Sequence, residues 1–272
     1  MTGFYDIRIY EIDNLDADTN WTASGCTITI DTVNKKKGTG CFDIDKTNAA
    51  STTCYIKYEG SFDLSAYEDY YLRLYSKPQD TTIEQITVRL YQGGSDYNDY
   101  ELNPTQDIWN IANKVLSSPD SVGGGGVTDW SAITEIRIII ETTAVDDLPQ
   151  DTLLDYLILA APESILLGDT YIDLPRDYKV DDPTIEVANY SLDGNLRRVI
   201  MNRKIIHTLS YKNLAADCYS YIKAERDRDE VIQFMWGAFD IDTMVHVYMS
   251  KREILPGTIY LSNIEIILLE ES

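Results

Sequence analysis

The sequence predicts a mainly β protein of two domains, a β-sandwich followed by a strand-rich domain with one short helix. Three observations carry this. Short segments of alternating apolar and polar residues recur at even spacing up to about Ala161, with Gly, Asp, Asn and Pro between them. Farther on, Asp193-Gly194 stands between Tyr190–Leu192 and Leu196–Met201 as a hairpin turn, and one stretch of helical spacing follows. The 272 residues suffice for two cores without disulfide staples.

In the first domain, CTITIDTV and GTGCFDID read as strands joined by the Lys-rich turn Asn34 to Lys37. Cys54 to Tyr58, Tyr70 to Tyr75, Ile86 to Gln92, Glu135 to Glu141 and Leu153 to Leu159 continue the series. Gly93 to Asn103 and Ser117 to Thr128 read as long loops. The second contains four consecutive glycines and little apolar matter, so a mobile surface loop is expected, with nothing to offset the entropy of ordering it.

The domain boundary falls near Pro162, giving domains of 1–162 and 163–272. Ile165 to Leu167 and Tyr171 to Leu174 suit short strands, and Tyr178 to Ser191 opens the second sheet. After the hairpin, Ile205, His207, Leu209 and Tyr211 share one strand face. Asn213 is placed to cap a helix in which Leu214, Cys218, Tyr221 and Ile222 recur at helical spacing. An aromatic strand at Phe234 to Phe239 and the alternating IYLSNIEIILLEE close the chain.

Charge narrows the function. With 45 acidic and 23 basic residues the net charge is −22, which repels nucleic-acid phosphates and excludes specific nucleic-acid binding. No apolar run reaches membrane-span length, and the N-terminus lacks a signal-peptide layout, so a cytoplasmic product is expected. Cys26, Cys41, Cys54 and Cys218 show no metal-ligand spacing and are expected to be reduced thiols. His207 and His246 both sit inside apparent strands, and no nucleophile elbow, phosphate loop or HExxH pattern occurs, so the chain does not read as an enzyme.

The succession DGNLRR, NRKIIHTLSYKNL, a short helix, an aromatic strand and a last alternating strand resembles the tail-tube fold of tailed bacteriophages, shared by tail tube proteins and the ring domain of distal tail proteins. The resemblance implies a structural virion protein, made in the host cytoplasm, whose subunits pair edge to edge into a ring of six beside other tail proteins. Asp193, Gly194, Arg197 and Arg198, with the neighbouring basic Arg203 and Lys204, are the candidate subunit interface, facing an acidic neighbour.

The order GTGCFDID, FDLSAYEDYYLRLYS, DWSAITEIRIII and LLDYLILA resembles jelly-roll carbohydrate-binding modules and related galactose-binding-like domains. That resemblance implies a jelly-roll sandwich and allows a structural calcium, though no cofactor is required. The calcium would be held by Glu11 or Asp13, carbonyls of the Lys37 to Gly40 region, and Asp155. It also implies aromatic stacking on a sugar ring, for which Tyr91, Tyr97, Tyr100 and Trp109 are the candidates around the long polar stretch. Packing against Ile108 and Ile111 explains Trp109 equally well. Two readings result: a tail ring component carrying an outward jelly-roll module, or a carbohydrate-binding adhesion module without a ring, with a host-surface glycan as partner.

Overall fold

The structure, a computed structural model, describes residues 9–48, 50–143, 151–168, 170–172, 175–181, 184–190, 196–203, 205–211, 214–228, 230–236, 241–249, 253–254, 260–262 and 264–270. Within 184–203, 215–217 and 253–262 the backbone alone is described. Contacts divide the chain into two compact units, one spanning Asp6–Pro162 and the other built on Glu163–Ser272.

The first unit is a two-sheet sandwich of jelly-roll type. Its strands are β1 (Ile9–Asp13), β2 (Trp21–Ser24), β3 (Cys26–Asp31), β4 (Cys41–Lys46), β5 (Thr53–Phe62), β6 (Tyr71–Pro78) and β7 (Ile83–Gly93). There follow β8 (Asp96–Leu102), β9 (Asn110–Ile111), β10 (Lys114–Val115), β11 (Ser121–Gly123), β12 (Ile133–Thr142) and β13 (Asp151–Ala160). One sheet runs β10-β6-β13-β4-β3, with β1 also on β13 and β9 also on β6; the other runs β11-β8-β7-β12-β5-β2.

Alternation decides which side chains enter the core. Phe42 and Ile44 from one sheet meet Ile56, Val88, Leu90, Ile136, Ile138 and Ile140 from the other. These fully buried side chains each remove apolar surface worth roughly 1.5–3 kcal/mol. On β8 the inward residues are Asn98, Tyr100 and Leu102, so Tyr97, Asp99 and Glu101 face out.

The two stretches expected to be loops are built into a sheet. Gly93 and Gly94, with φ of +120° and +60°, make the turn that lets Asp96–Leu102 return along β7. The second stretch supplies edge strand β11, which ends on the first of the four glycines, and side chains from elsewhere hold the amides that follow. Gly125 N–H donates to Asp96 Oδ1 at 2.8 Å, Val127 N–H to Asn98 Oδ1 at 3.0 Å, and Thr128 N–H to Gln92 Oε1 at 2.6 Å. Polar clamps thus replace the missing apolar contacts.

The second unit holds β14 (Ile165–Leu167), β15 (Thr170–Ile172), β16 (Asp177–Asp181), β17 (Thr184–Tyr190), β18 (Leu196–Arg203), β19 (Ile206–Tyr211) and β20 (Leu214–Ala215). Helix α1 (Ala216–Arg228), β21 (Ile232–Trp236), β22 (Ile241–Met249), β23 (Glu253–Ile254), β24 (Tyr260–Ser262) and β25 (Ile264–Glu270) complete it. A seven-stranded antiparallel sheet, β15-β14-β21-β22-β25-β19-β16, shares its core with Cys218, Tyr219 and Ile222 of α1. Leu214 precedes the helix in a short strand paired to Leu261, and Asn213 lies outside the described residues. His207 is buried on the predicted face, with Nε2 2.8 Å from Glu270 Oε1 and Nδ1 2.7 Å from the Tyr178 hydroxyl. β17 and β18 form a separate hairpin, with Tyr190 opposite Leu196. No described helix is long and apolar enough to cross a membrane.

Candidate functional site

The outward face of the six-stranded sheet gathers side chains that the sequence scatters from Thr22 to Glu141. Antiparallel register places them in rows. Tyr97, Tyr91, Glu135 and Glu59 form one row across β8, β7, β12 and β5. The next row is Asp99, Arg89, Arg137 and Lys57, with Thr22 beyond on β2. The third is Glu101, Thr87, Ile139, Tyr55 and Ser24. The result is a cationic row between two rows carrying tyrosines.

Geometry locks these groups together. Asp99, only 6% exposed, accepts from Arg89 Nε at 2.6 Å and from Arg89 Nη2 at 2.8 Å, a two-point pairing that fixes the guanidinium plane. The hydrogen bond to Asp99 raises the Arg89 pKa above its ordinary value, so it stays charged. Its guanidinium lies 3.7 Å from the centre of the Tyr97 ring, and Nη1 donates to the Tyr91 hydroxyl at 3.3 Å. Arg137 sits 4.4 Å from the Tyr55 ring and 4.8 Å from the Tyr91 ring, held by Glu135 at 2.7 Å from its Nε. Lys57 pairs with Glu59. The Tyr91 and Tyr97 rings are 5.3 Å apart at 57°. Gly123 lies beside Tyr97, and a Cβ there would come within 2.1 Å of the ring.

Such a face offers aromatic surface edged by fixed N–H donors and carboxylate acceptors. Those are complementary to a ring-shaped ligand rich in hydroxyls. Its charges are Lys57, Arg89 and Arg137 against Glu59, Asp99, Glu101, Glu135 and Glu141, an acidic surplus that disfavours anions.

Of the four aromatics named from the sequence, Tyr91 and Tyr97 come together here. Tyr100 does not: it is fully buried, its hydroxyl donates to the Leu116 carbonyl, and period-2 alternation on β8 turns it into the core. Trp109 is half-buried just before β9, at the edge of the other sheet. Tyr55, Lys57, Arg89, Asp99, Glu135 and Arg137 were missed. Their signal was present as Y-x-K, R-x-Y, Y-x-D and E-x-R alternation on the polar side of each strand.

The acids expected to hold calcium do not converge. Asp13 Oδ1 accepts from the Leu15 amide at 2.7 Å, and Glu11 is exposed on β1. Asp155 is fully buried beside a β13 bulge where Tyr156 has φ +54°, and its Oδ2 accepts from the Lys36 and Lys37 amides, each at 2.7 Å. Asp16 accepts from the Thr39 and Gly40 amides at 2.9 and 2.8 Å. The turn at 36–40 therefore directs N–H donors at carboxylates, where a calcium cage needs oxygens. Among the described residues, Asp155 Oδ1 is buried with no hydrogen-bond partner, but no group of three or more His, Cys, Asp or Glu could hold a metal ion. As arranged, these residues do not fit the ion. Arg197, Arg198 and Arg203 lie on β18 opposite Asn189, Ala188 and Thr184, while Asp193, Gly194 and Lys204 lie outside the described residues.

No family model and no curated protein matches the chain. Among solved structures, it is similar to a family 11 carbohydrate-binding module from Clostridium thermocellum, determined in complex with a β-1,3-1,4-mixed-linked tetrasaccharide. The identity is 14% and the TM-score 0.42, over 57% of this chain and 96% of that one. A family 30 carbohydrate-binding module gives 16% identity and a TM-score of 0.38 over 52% and 78%. An exo-β-agarase gives 10% and 0.46, and the chain covers 25% of that enzyme's length.

Proposed function

We propose that the first unit is a carbohydrate-binding module that takes a neutral, hydroxyl-rich saccharide chain on the outward face of its six-stranded sheet. The observation that carries this reading is the Tyr97–Tyr91 pair bordered by Arg89 and Arg137, each oriented by its own carboxylate. A sugar stacks its C–H face on a ring while its hydroxyls bond to groups at the ring edge. Arg89 and Arg137 keep N–H donors beyond those spent on Asp99 and Glu135. The proposed role is binding without turnover. Calorimetric titration with neutral β-glucan and agar oligosaccharides tests it: saturable heat that vanishes in Tyr91→Ala supports the reading, and no heat with any neutral chain refutes it.

A second reading concerns the other unit. Among the described residues, both edge strands of its sheet, β15 and β16, pair on one side only, and β17–β18 stands as its own two-stranded sheet. Unpaired edges invite strand addition from a second copy. We propose that this unit assembles head to tail in a phage-tail ring, with β18 and its Arg197, Arg198 and Arg203 at the interface. Reversing Arg197 and Arg198 to Glu should weaken assembly seen by native mass spectrometry. A monomer in every condition, including in purified particles, would refute it.

A further inference from the structure

Three groups outside the sheet face meet at one corner of the first sandwich. Cys26 begins β3, and Lys46 ends β4 directly opposite it. Cys54 belongs to β5 of the facing sheet, and its side chain enters the same core as that of Cys26. Cys26 Sγ lies 3.4 Å from the carbonyl oxygen of Tyr55, the residue after Cys54, and a Cβ built on Gly25, the residue before Cys26, would lie 3.4 Å from the Cys54 Cβ. Lys46 is 4% exposed, and its Nζ is buried with no hydrogen-bond partner among the described residues.

A buried ammonium without a partner is costly, so an anion formed beside it is favoured. A thiolate is the anion this corner can supply, and the Lys46 charge acts on Cys54 in that direction. The carboxylate of Asp45 opposes it at both thiols. Through its hydrogen bond with Cys54, the Cys26 thiol is held below its ordinary pKa, while that same bond and burial push Cys54 up. Cys26, 8% exposed against 1% for Cys54, is also the thiol an oxidant reaches first, which makes it the nucleophile of the pair and Cys54 the resolving thiol.

We propose that Cys26 and Cys54 are a redox-active dithiol that closes into a disulfide joining the two sheets, with Lys46 as the positioning charge. The oxidant is a small-molecule disulfide of the glutathione class. The Cys26 thiolate attacks one of its sulfurs and expels a thiolate, giving a mixed disulfide. The Cys54 thiol then loses its proton to solvent and attacks Sγ of Cys26, expelling the second thiolate. Two electrons pass to the oxidant, and the two protons released by the cysteines end on the two departing thiols.

The full chain is equilibrated in glutathione redox buffers, then acid-quenched, alkylated and mapped by mass spectrometry. The expected result is two of four thiols protected as a Cys26–Cys54 peptide, with a raised melting temperature. Cys54→Ser should stop at a glutathione adduct on Cys26. Lys46→Met should slow closure about tenfold at pH 7 and little at pH 9, where thiolate forms without help. Four free thiols in the most oxidising buffer, or a bridge through Cys41 or Cys218, would overturn the proposal. An unchanged pH profile in Lys46→Met would overturn the role of the lysine.

Discussion

The two outer faces of the first sandwich obey the same alternation and carry opposite chemistry. On the six-stranded sheet, each arginine lies against a carboxylate and a tyrosine, as Arg89 does with Asp99 and Tyr97, and Lys57 pairs with Glu59. On the other sheet, Asp31, Asp43, Asp45, Asp151 and Asp155 occupy the outward positions of β3, β4 and β13. Burial and then the neighbouring aspartates push Asp43 up to about 6; burial pushes Asp155 up to about 6, partly offset by the Lys37 and Lys36 amides. Burial, Asp155 and Asp31 likewise push the Cys41 thiol up to about 12. Paired charges make a rigid surface with donors to spare, whereas crowded like charges make one that is costly to keep ionised. The first kind of face suits a neutral polar ligand.

The largest effects are expected at the paired face. Replacing Tyr91 or Arg137 by Ala should lower saccharide affinity about five- to thirtyfold, since each stacking or charge-assisted contact is worth about 1–2 kcal/mol, while the fold is kept. Gly123→Ala comes next: its Cβ must displace the Tyr97 ring, so affinity should fall several-fold with a smaller loss of stability. Calorimetry and thermal melts on the same samples separate the two effects.

On the aspartate face the expected effect is on stability and pH. Asp43 has a folded-state pKa raised from 3.8 to about 6, so the folded protein holds that proton more tightly than the unfolded chain does. Its contribution is therefore most favourable below pH 4, declines as pH rises from 4 to 6, and is flat above. Asp43→Asn should melt higher than the parent at pH 7.5 and equally at pH 4. The gain should be about 1 kcal/mol, because partial exposure screens much of the shift. Melting curves over that pH range check it. The smallest effect belongs to Tyr100→Phe, which loses the bond to Leu116 at about 1 kcal/mol and should leave saccharide affinity unchanged.

How much of this could be read from the sequence depended on whether the deciding contacts were local. The strands around Cys41, Cys54, Ile86 and Ile136 were legible because apolar alternation is a property of the strand itself. β8 was not, since Asp96, Asn98 and Asp99 have low strand propensity, and without a strand there was no parity to tell Tyr97 from Tyr100. Ordering of the glycine tract depends on Asp96, Asn98 and Gln92, which lie 29 to 36 positions away. The charged row across Arg89, Arg137 and Lys57 exists only once three strands are in register.

Residue-resolved NMR titration with a neutral β-linked oligosaccharide tests the central claim most directly. The paired face predicts shifts at Tyr55, Arg89, Tyr91, Tyr97 and Arg137, little change at Asp43, Asp151 or Asp155, and an affinity nearly independent of salt. Shifts confined to the aspartate face or to the region of Trp109, or binding that requires an anionic sugar and fades with salt, would contradict it.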